Sequence, residues 1–286
     1  MDRVIANLEK MQIKYNDIRL IREKDGVILY RIFFENSTYI LKYFDNEEYR
    51  REIKNYEILK SLNIPTIKII SNTDVCLLME DIESSNFYRL GLKEDMNDAG
   101  IAVKIAKWYK LFHGKGSTFI SSNGDSFYDE NNVITLENIA LIKAKTETES
   151  NPVWIDIETN IDKIHSLIKK TKRTLTYNDF YYTNFIVAKD KSSAFMFDYN
   201  LLGKGYAYAD IRNVCSSLGE EAKNAFLHEY DYYDKTEVTI DDVTSVIVNL
   251  YFACLQDTFP KWAEESLNEL NNGFVKKVNT LLSYSK

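Results

Sequence analysis

Cysteine, proline and glycine are all scarce: three, three and ten in 286 residues. Cys76, Cys215 and Cys254 stand far apart with no CxxC pair, so neither a disulfide framework nor a zinc knuckle is encoded. So little glycine and proline excludes collagen-like and low-complexity chains. Histidine is equally rare, and His113, His165 and His228 show no metal-ligand spacing. An excess of basic charge is lacking too: 36 Lys and Arg face 43 Asp and Glu, a net charge of −7. Neither nucleic acid nor an anionic membrane is therefore an expected partner. No apolar stretch approaches a bilayer span, since even 243–255 is broken by Ser245 and Asn249. Met1-Asp2-Arg3-Val4 has no basic patch leading into an apolar run, and a cytoplasmic location is expected. What is plentiful is core material, 45% hydrophobic and 13% aromatic, which rules out global disorder. The length exceeds one ordinary domain and falls short of three, so two lobes are expected.

A short amphipathic opening (Val4, Ile5, Leu8, Met11) precedes three β-like runs at 18–22, 27–34 and 38–44. Lys24-Asp25-Gly26 and Glu35-Asn36-Ser37 are the turn signals between them. Asp45 reads as the cap of an amphipathic helix over 46–62, with Tyr49, Ile53, Tyr56, Leu59 and Leu62 recurring along it. Pro65 stops that helix, and two more β-like runs follow at 66–70 and 75–79. Three strands, a helix and two strands make a small α+β lobe. Beyond residue 83 the periodicity turns helical: Ile101, Ile105, Trp108, Leu111 and Phe112, then 155–172, then a long run from 239 to about 282. A strand-rich patch at 174–198 interrupts it, and 117–130, rich in Ser, Asn, Asp and Gly, reads as a loop. The expected division is 1–82, strand-rich, and 83–286, mostly helical.

The stretch that carries chemistry runs from Leu175 to Asn200. It reads as a strand, a polar loop, a β-hairpin and an aspartate at a strand end. Asp179, Asn184 and Asp198 are oxygen-bearing side chains of the kind a hard cation such as Mg²⁺ prefers. A free carboxylate beside that cation could take a proton from an attacking hydroxyl. Positioning a phosphoryl group and neutralising its charge is most of what such a site must do.

These residues resemble the aminoglycoside phosphotransferase and choline kinase superfamily, distant relatives of the protein kinases. The family's catalytic loop, H-[GN]-D-x-x-x-x-N followed by a hairpin and a metal-binding Asp, is matched by Tyr177-Asn178-Asp179, Asn184 and Asp198. Asp210, twelve residues further on, matches a structural Asp that opens a helix. Lys42 sits on the third β-run, where the family has its phosphate-binding lysine, and Glu52 follows ten residues later on the helix. Leu77–Ile82 resembles the hinge that receives adenine, and Trp108–His113 a helix end of the family. Three departures stand out: Tyr177 replaces the family His, Tyr199-Asn200 follows the metal Asp, and Gly26 alone stands where a glycine-rich loop would cover phosphates.

The resemblance implies a bilobal protein-kinase-like α+β fold: a nucleotide-binding lobe (1–82) of five strands and one main helix, and a larger helical catalytic and substrate-binding lobe (83–286). It implies an ATP-dependent (alternatively GTP-dependent) and Mg²⁺-dependent phosphotransferase acting on a hydroxyl of a small molecule. Asp179 would orient or deprotonate that hydroxyl, Asn184 and Asp198 would hold Mg²⁺, Lys42 held by Glu52 would meet the α- and β-phosphates, and the main chain at Glu80 and Ile82 would receive adenine. The acceptor it favours is an aminoglycoside-like cation, because the second lobe carries Asp231, Asp234, Asp241, Asp242, Glu264, Glu265 and Glu269. Choline or ethanolamine, which would need an aromatic cage, and a catalytically silent nucleotide-binding module are the alternatives. Taken singly, each of these residues would be an ordinary solvated side chain. The argument rests on their order along one chain. The tyrosines around the site (181, 182, 199, 206, 208) and the stripe Val243, Ile247, Leu250, Tyr251 and Cys254 are expected to pack, and His113 to serve structure.

Overall fold

The computed structural model describes residues 1–124, 127–231 and 234–284. In chain order the helices and strands are α1 Asp2–Lys10, β1 Asp17–Lys24, β2 Val27–Phe34, β3 Ser37–Phe44, α2 Arg51–Ser61, β4 Ile69–Asn72, β5 Cys76–Glu80, β6 Tyr88–Leu90 and α3 Ala99–Asn123. Then come α4 Leu136–Thr146, α5 Val153–Thr159, α6 Ile161–Lys170, β7 Thr174–Thr176, β8 Phe185–Ala188, β9 Ala194–Met196 and β10 Gly203–Gly205. The chain finishes with α7 Ala207–Ser217, α8 Glu220–Tyr230, α9 Lys235–Cys254, α10 Glu264–Asn271 and α11 Phe274–Ser283. None of the helices among the described residues is long and apolar enough to cross a membrane.

The elements group into two compact units. The first holds Met1–Gly116, Tyr177–Leu202 and Asn213–Asp231. Its five-stranded sheet has the order β1-β2-β3-β5-β4, antiparallel throughout, and a three-stranded sheet β6-β8-β9 completes it. Alternation along the strands sorts the side chains. Tyr30, Ile32, Leu41, Tyr43 and Leu78 pack with Val4 and Leu8 of α1, while Leu29, Ile40 and Met79 point the other way, into a cleft. The second unit holds Ser117–Thr176, Gly203–Arg212 and Tyr232–Lys286. Its core is Trp154, Ile157, Ile164 and Leu167 packed with Val243, Ile247 and Leu250 of α9 and with Phe274 and Val278 of α11.

Several sequence expectations are corrected. Asn46, not Asp45, is the cap: its side chain accepts from the Glu48 N–H at 3.0 Å, opening one tight turn ahead of α2. The segment 117–130 begins as helix, because α3 runs on to Asn123 with Ile120 buried, and its Ser121 and Asn123 side chains bond back to Thr118 and Phe119 carbonyls. Positions 125 and 126 of that segment lie outside the described residues. The run 155–172 is two helices divided at Asn160. The run 239–282 is three, broken around Pro260 and at Gly273, whose φ of +126° suits glycine alone.

Candidate active site

Lys42 is the point around which the site forms. Its neighbours Leu41 and Tyr43 on β3 go into the core, so the strand period turns Lys42 towards the cleft. There Nζ meets Glu52 Oε2 at 2.6 Å and Asp198 Oδ1 at 2.9 Å. Burial works against the charged ammonium, but the two carboxylates outweigh it and push Lys42 up to about 12. Glu52, in the first turn of α2, is wholly buried. That burial pushes its carboxyl up to about 7 against the pull of Lys42. The ammonium is therefore the fixed charge of the pair, and Glu52 takes up a proton first on acidification.

Helix α2 also fastens the strand end that carries Asp198. Asn55 and Tyr56 stand three and four residues beyond Glu52, on the same side of the helix. Asn55 donates to Tyr199 O at 2.8 Å, and the Asp198 N–H donates to Tyr56 Oη at 3.1 Å. Asp198 itself, two residues past β9, has a φ of +62°, a left-handed conformation that non-glycine residues seldom adopt. Tyr199, which follows Asp198, turns inward, donates to Met196 O at 2.6 Å and meets Tyr56 edge-on.

The loop before β8 presents the other two residues. Tyr177, standing where the resemblance leads one to expect His, is buried, and its hydroxyl donates to the carbonyl of Phe197, with that of Asn184 3.2 Å away. It thus ties the loop to the residue that precedes Asp198. Asn178 adopts a φ of +65° and donates to Leu201 O at 3.0 Å. Asp179 then faces the cleft. Burial first, and the Asp198 carboxylate second, raise it to about 6. Asn184 donates its amide to Asp179 Oδ2 at 2.8 Å and to Asp179 O at 3.1 Å, and its amide oxygen, which accepts from the Thr183 hydroxyl at 3.3 Å, is the end that could also meet a cation.

All five residues line one cleft of about 610 Å³ with an apolar inner surface from Val27, Leu29, Ile40 and Met79. Glu80 and Ile82 border it as well. The Glu80 N–H is already given to Lys68 O at 2.9 Å, so its carbonyl is what it has to offer. Ile82 opens the single turn Ile82–Ser84, whose first N–H groups lack internal partners. Asp198 and Asn184 supply a carboxylate and an amide oxygen, the hard donors that suit Mg²⁺. Among the described residues no three His, Cys, Asp or Glu side chains cluster for a metal; phosphate oxygens would have to complete the shell.

Sequence reasoning missed Asn55, Tyr56 and the role of Tyr177. The helical spacing of Asn55 and Tyr56 from Glu52 was the available signal. It shows a shared face but not the distant backbone groups that face meets. The acidic residues of the second unit are also less free than their number suggested. Asp241 is buried against Arg212 at 2.6 Å, Asp234 caps α9, and Lys277 pairs with Glu269 and, at 3.6 Å, with Asp242. Asp210 is buried in the first turn of α7. His113 is a buried partner of the Tyr230 hydroxyl at 2.7 Å, a structural bond as expected.

Sheet order, cleft and the lysine–glutamate pair define the protein-kinase-like fold, and solved structures agree. The choline kinase LicA of Streptococcus pneumoniae superposes with a TM-score of 0.64 at 16% identity, over 96% of this chain and 99% of that one. The ADP-bound aminoglycoside phosphotransferase APH(2'')-Ib gives 0.63 at 18%, over 97% and 99%. A spectinomycin phosphotransferase in complex with ADP and spectinomycin gives 0.60 at 13%, over 99% and 98%. At such identities the likeness fixes the fold. No family model matches the sequence, and no curated protein matches it.

Proposed function

We propose that this protein is a phosphotransferase that moves the γ-phosphate of ATP, with GTP as the alternative donor, to a hydroxyl of a small cationic molecule. The observation that carries this reading is the convergence of Lys42, Glu52, Asp179, Asn184 and Asp198 on one cleft. In it the lobe 1–82 takes the nucleotide. The apolar inner surface would hold the base, with the Glu80 carbonyl and the Ile82 N–H on its polar edge. Lys42, kept charged and aimed by Glu52, would neutralise the α- and β-phosphates. Mg²⁺ held by Asn184 and Asp198 would neutralise charge on the triphosphate oxygens.

Asp179 would accept a hydrogen bond from the acceptor hydroxyl and take its proton as the new oxygen–phosphorus bond forms and the bond to the ADP oxygen breaks. A carboxyl held near 6 is ionised at neutral pH yet basic enough to receive that proton. Asn184, bonded to Asp179, keeps that carboxylate oriented. Since no residue of this set is missing, a catalytically silent nucleotide binder is the weaker reading.

Aminoglycosides are the first acceptors to test, because similar folds include phosphotransferases for them and the chain carries a net charge of −7. Choline and ethanolamine form the second reading. It is favoured by Tyr181 and Tyr182, whose rings stand 4.5 Å apart directly after Asp179 and Phe180. Transfer of label from γ-labelled ATP, with Mg²⁺, to a panel of aminoglycosides, choline, ethanolamine, macrolides and sugars tests the proposal. A labelled aminoglycoside supports the first reading and labelled choline the second, whereas no labelled acceptor counts against both.

A further inference from the structure

Among the described residues no glycine-rich loop covers this cleft. Between β1 and β2 the chain turns in two residues, Asp25 and Gly26, with φ of +54° and +77° and with Lys24 paired to Val27. Positive φ at both positions is the tight hairpin turn that suits right-twisted strands. The turn is also tied down. Gly26 O accepts from the N–H groups of Asp45, at 2.8 Å, and Asn46, at 3.2 Å, and a Cβ on Gly26 would come within 2.7 Å of Asn46 Cβ. Such a turn offers no run of free N–H groups to cradle phosphates. Something else must meet the triphosphate.

The strand register supplies it. From Asp17 to Leu20, β1 pairs regularly with β2, Arg19 opposite Arg31 and Leu20 opposite Tyr30. Beyond that point Arg22 lies opposite Leu29 and Lys24 opposite Val27, so Ile21 is an extra residue, a β-bulge. Leu29 and Val27 face the cleft, and paired residues share a face. An unbroken strand would have turned Ile21 and Glu23 to the cleft and sent Arg22 and Lys24 to the opposite side. The bulge reverses this parity and brings two cations over the cleft in place of a carboxylate.

The charge balance of the cleft makes these two matter. Four cations line it among the described residues: Arg22, Lys24, Arg31 and Lys42. Seven carboxylates line it too, so a triphosphate entering it meets a negative surround. Arg31 is committed to Asp81 at 2.8 Å and to Glu83 at 2.5 Å, and Lys42 to Glu52 and Asp198. Arg22 forms no ion pair or side-chain hydrogen bond among the described residues. Lys24 has only a loose, exposed contact to Asp25 at 3.6 Å.

Building on the phosphotransferase reading, we infer that Arg22 and Lys24, turned to the cleft by the bulge at Ile21, clamp the nucleotide's phosphates in place of a glycine loop. Asp25, 3.6 Å from Lys24, sets a negative charge against the clamp.

Calorimetric titration of the full chain with ATP, ADP and adenosine, each with Mg²⁺, tests it on wild type, Arg22→Ala, Arg22→Ala/Lys24→Ala and Asp25→Asn. Each removed cation weakens ATP and ADP about tenfold, the pair about a hundredfold, and adenosine stays within about twofold. Asp25→Asn, an Asn in a left-handed position it tolerates, strengthens ATP binding. Both cations are exposed, so melting temperatures stay unchanged and a folding defect is excluded. Equal losses for adenosine and ATP, or ATP binding untouched in the double variant, overturn the clamp and leave the phosphotransferase reading standing. Wild type that binds neither ATP nor adenosine overturns both.

Discussion

Replacing Lys42 by alanine should damage the protein before any nucleotide is considered. Glu52 is fully buried, and Lys42 Nζ at 2.6 Å is the cation beside it. Removing one member of a buried ion pair while stranding the other costs about 3–5 kcal/mol. For a chain of this size that corresponds to a fall in melting temperature of roughly 6–20 °C. Asp198 adds less, because its side chain keeps contact with water. The loss has a pH signature. Burial raises the folded-state Glu52 carboxyl to about 7 even with Lys42 present, so the neutral form suits the folded state. For such a raised carboxyl, stability is fully present below the unfolded pKa and is lost as pH rises through the folded one. The Lys42→Ala defect is therefore small at pH 5 and large at pH 8. Glu52→Gln in the same background removes the stranded charge and restores most of the loss. Thermal unfolding of wild type, both single variants and the double variant at the two pH values reads all of this. Additive effects in the double variant, or a Lys42→Ala defect that does not grow between pH 5 and pH 8, would refute the reasoning.

Other expectations concern the chemistry. With Asp198 holding Mg²⁺ as proposed, Asp198→Asn should cut kcat/KM for Mg·ATP far more than it alters acceptor binding, which steady-state kinetics with each substrate varied in turn would separate. With Asp179 held near 6, kcat/KM should fall about tenfold per unit as pH drops below that value, since the protonated carboxyl cannot take the hydroxyl proton; a flat profile between pH 5 and pH 7 would remove Asp179 from that role. Tyr177→Phe leaves the carbonyl of Phe197 without its donor, while that of Asn184 keeps the Phe197 N–H, and should cost about 1–3 kcal/mol in denaturant unfolding. Its kcat should drop more than its KM changes, because Asp198 and Asn184 lose a shared tether; an unchanged kcat would count against that tether.

Much of the fold was legible because strand alternation and turn chemistry are local. Val27–Phe34 reads off its own residues, and Lys24-Asp25-Gly26 announces its turn. Lys42, Glu52, Asp179, Asn184 and Asp198 were legible as candidates through the resemblance of their order and spacing to a known family's motifs. Less could be read where the partner is remote. Strand β6 is three residues long and exists because it pairs with β8, almost a hundred residues away. The bulge at Ile21 depends on register against β2, which no property of β1 alone reveals. Asp241 and Asp234 look like free carboxylates in sequence, and only packing shows one bonded to Arg212 and the other capping a helix.

The central claim is that Asp179 takes the proton of an acceptor hydroxyl while the cleft holds Mg·ATP. The most direct measurement is single-turnover transfer of labelled γ-phosphate by wild type and Asp179→Ala, with Mg·ATP affinity measured on both. The account predicts near-equal affinity, transfer by wild type to at least one hydroxylated cation, and none by the variant. Transfer that survives in Asp179→Ala, or wild type that binds Mg·ATP and phosphorylates no acceptor, would contradict it.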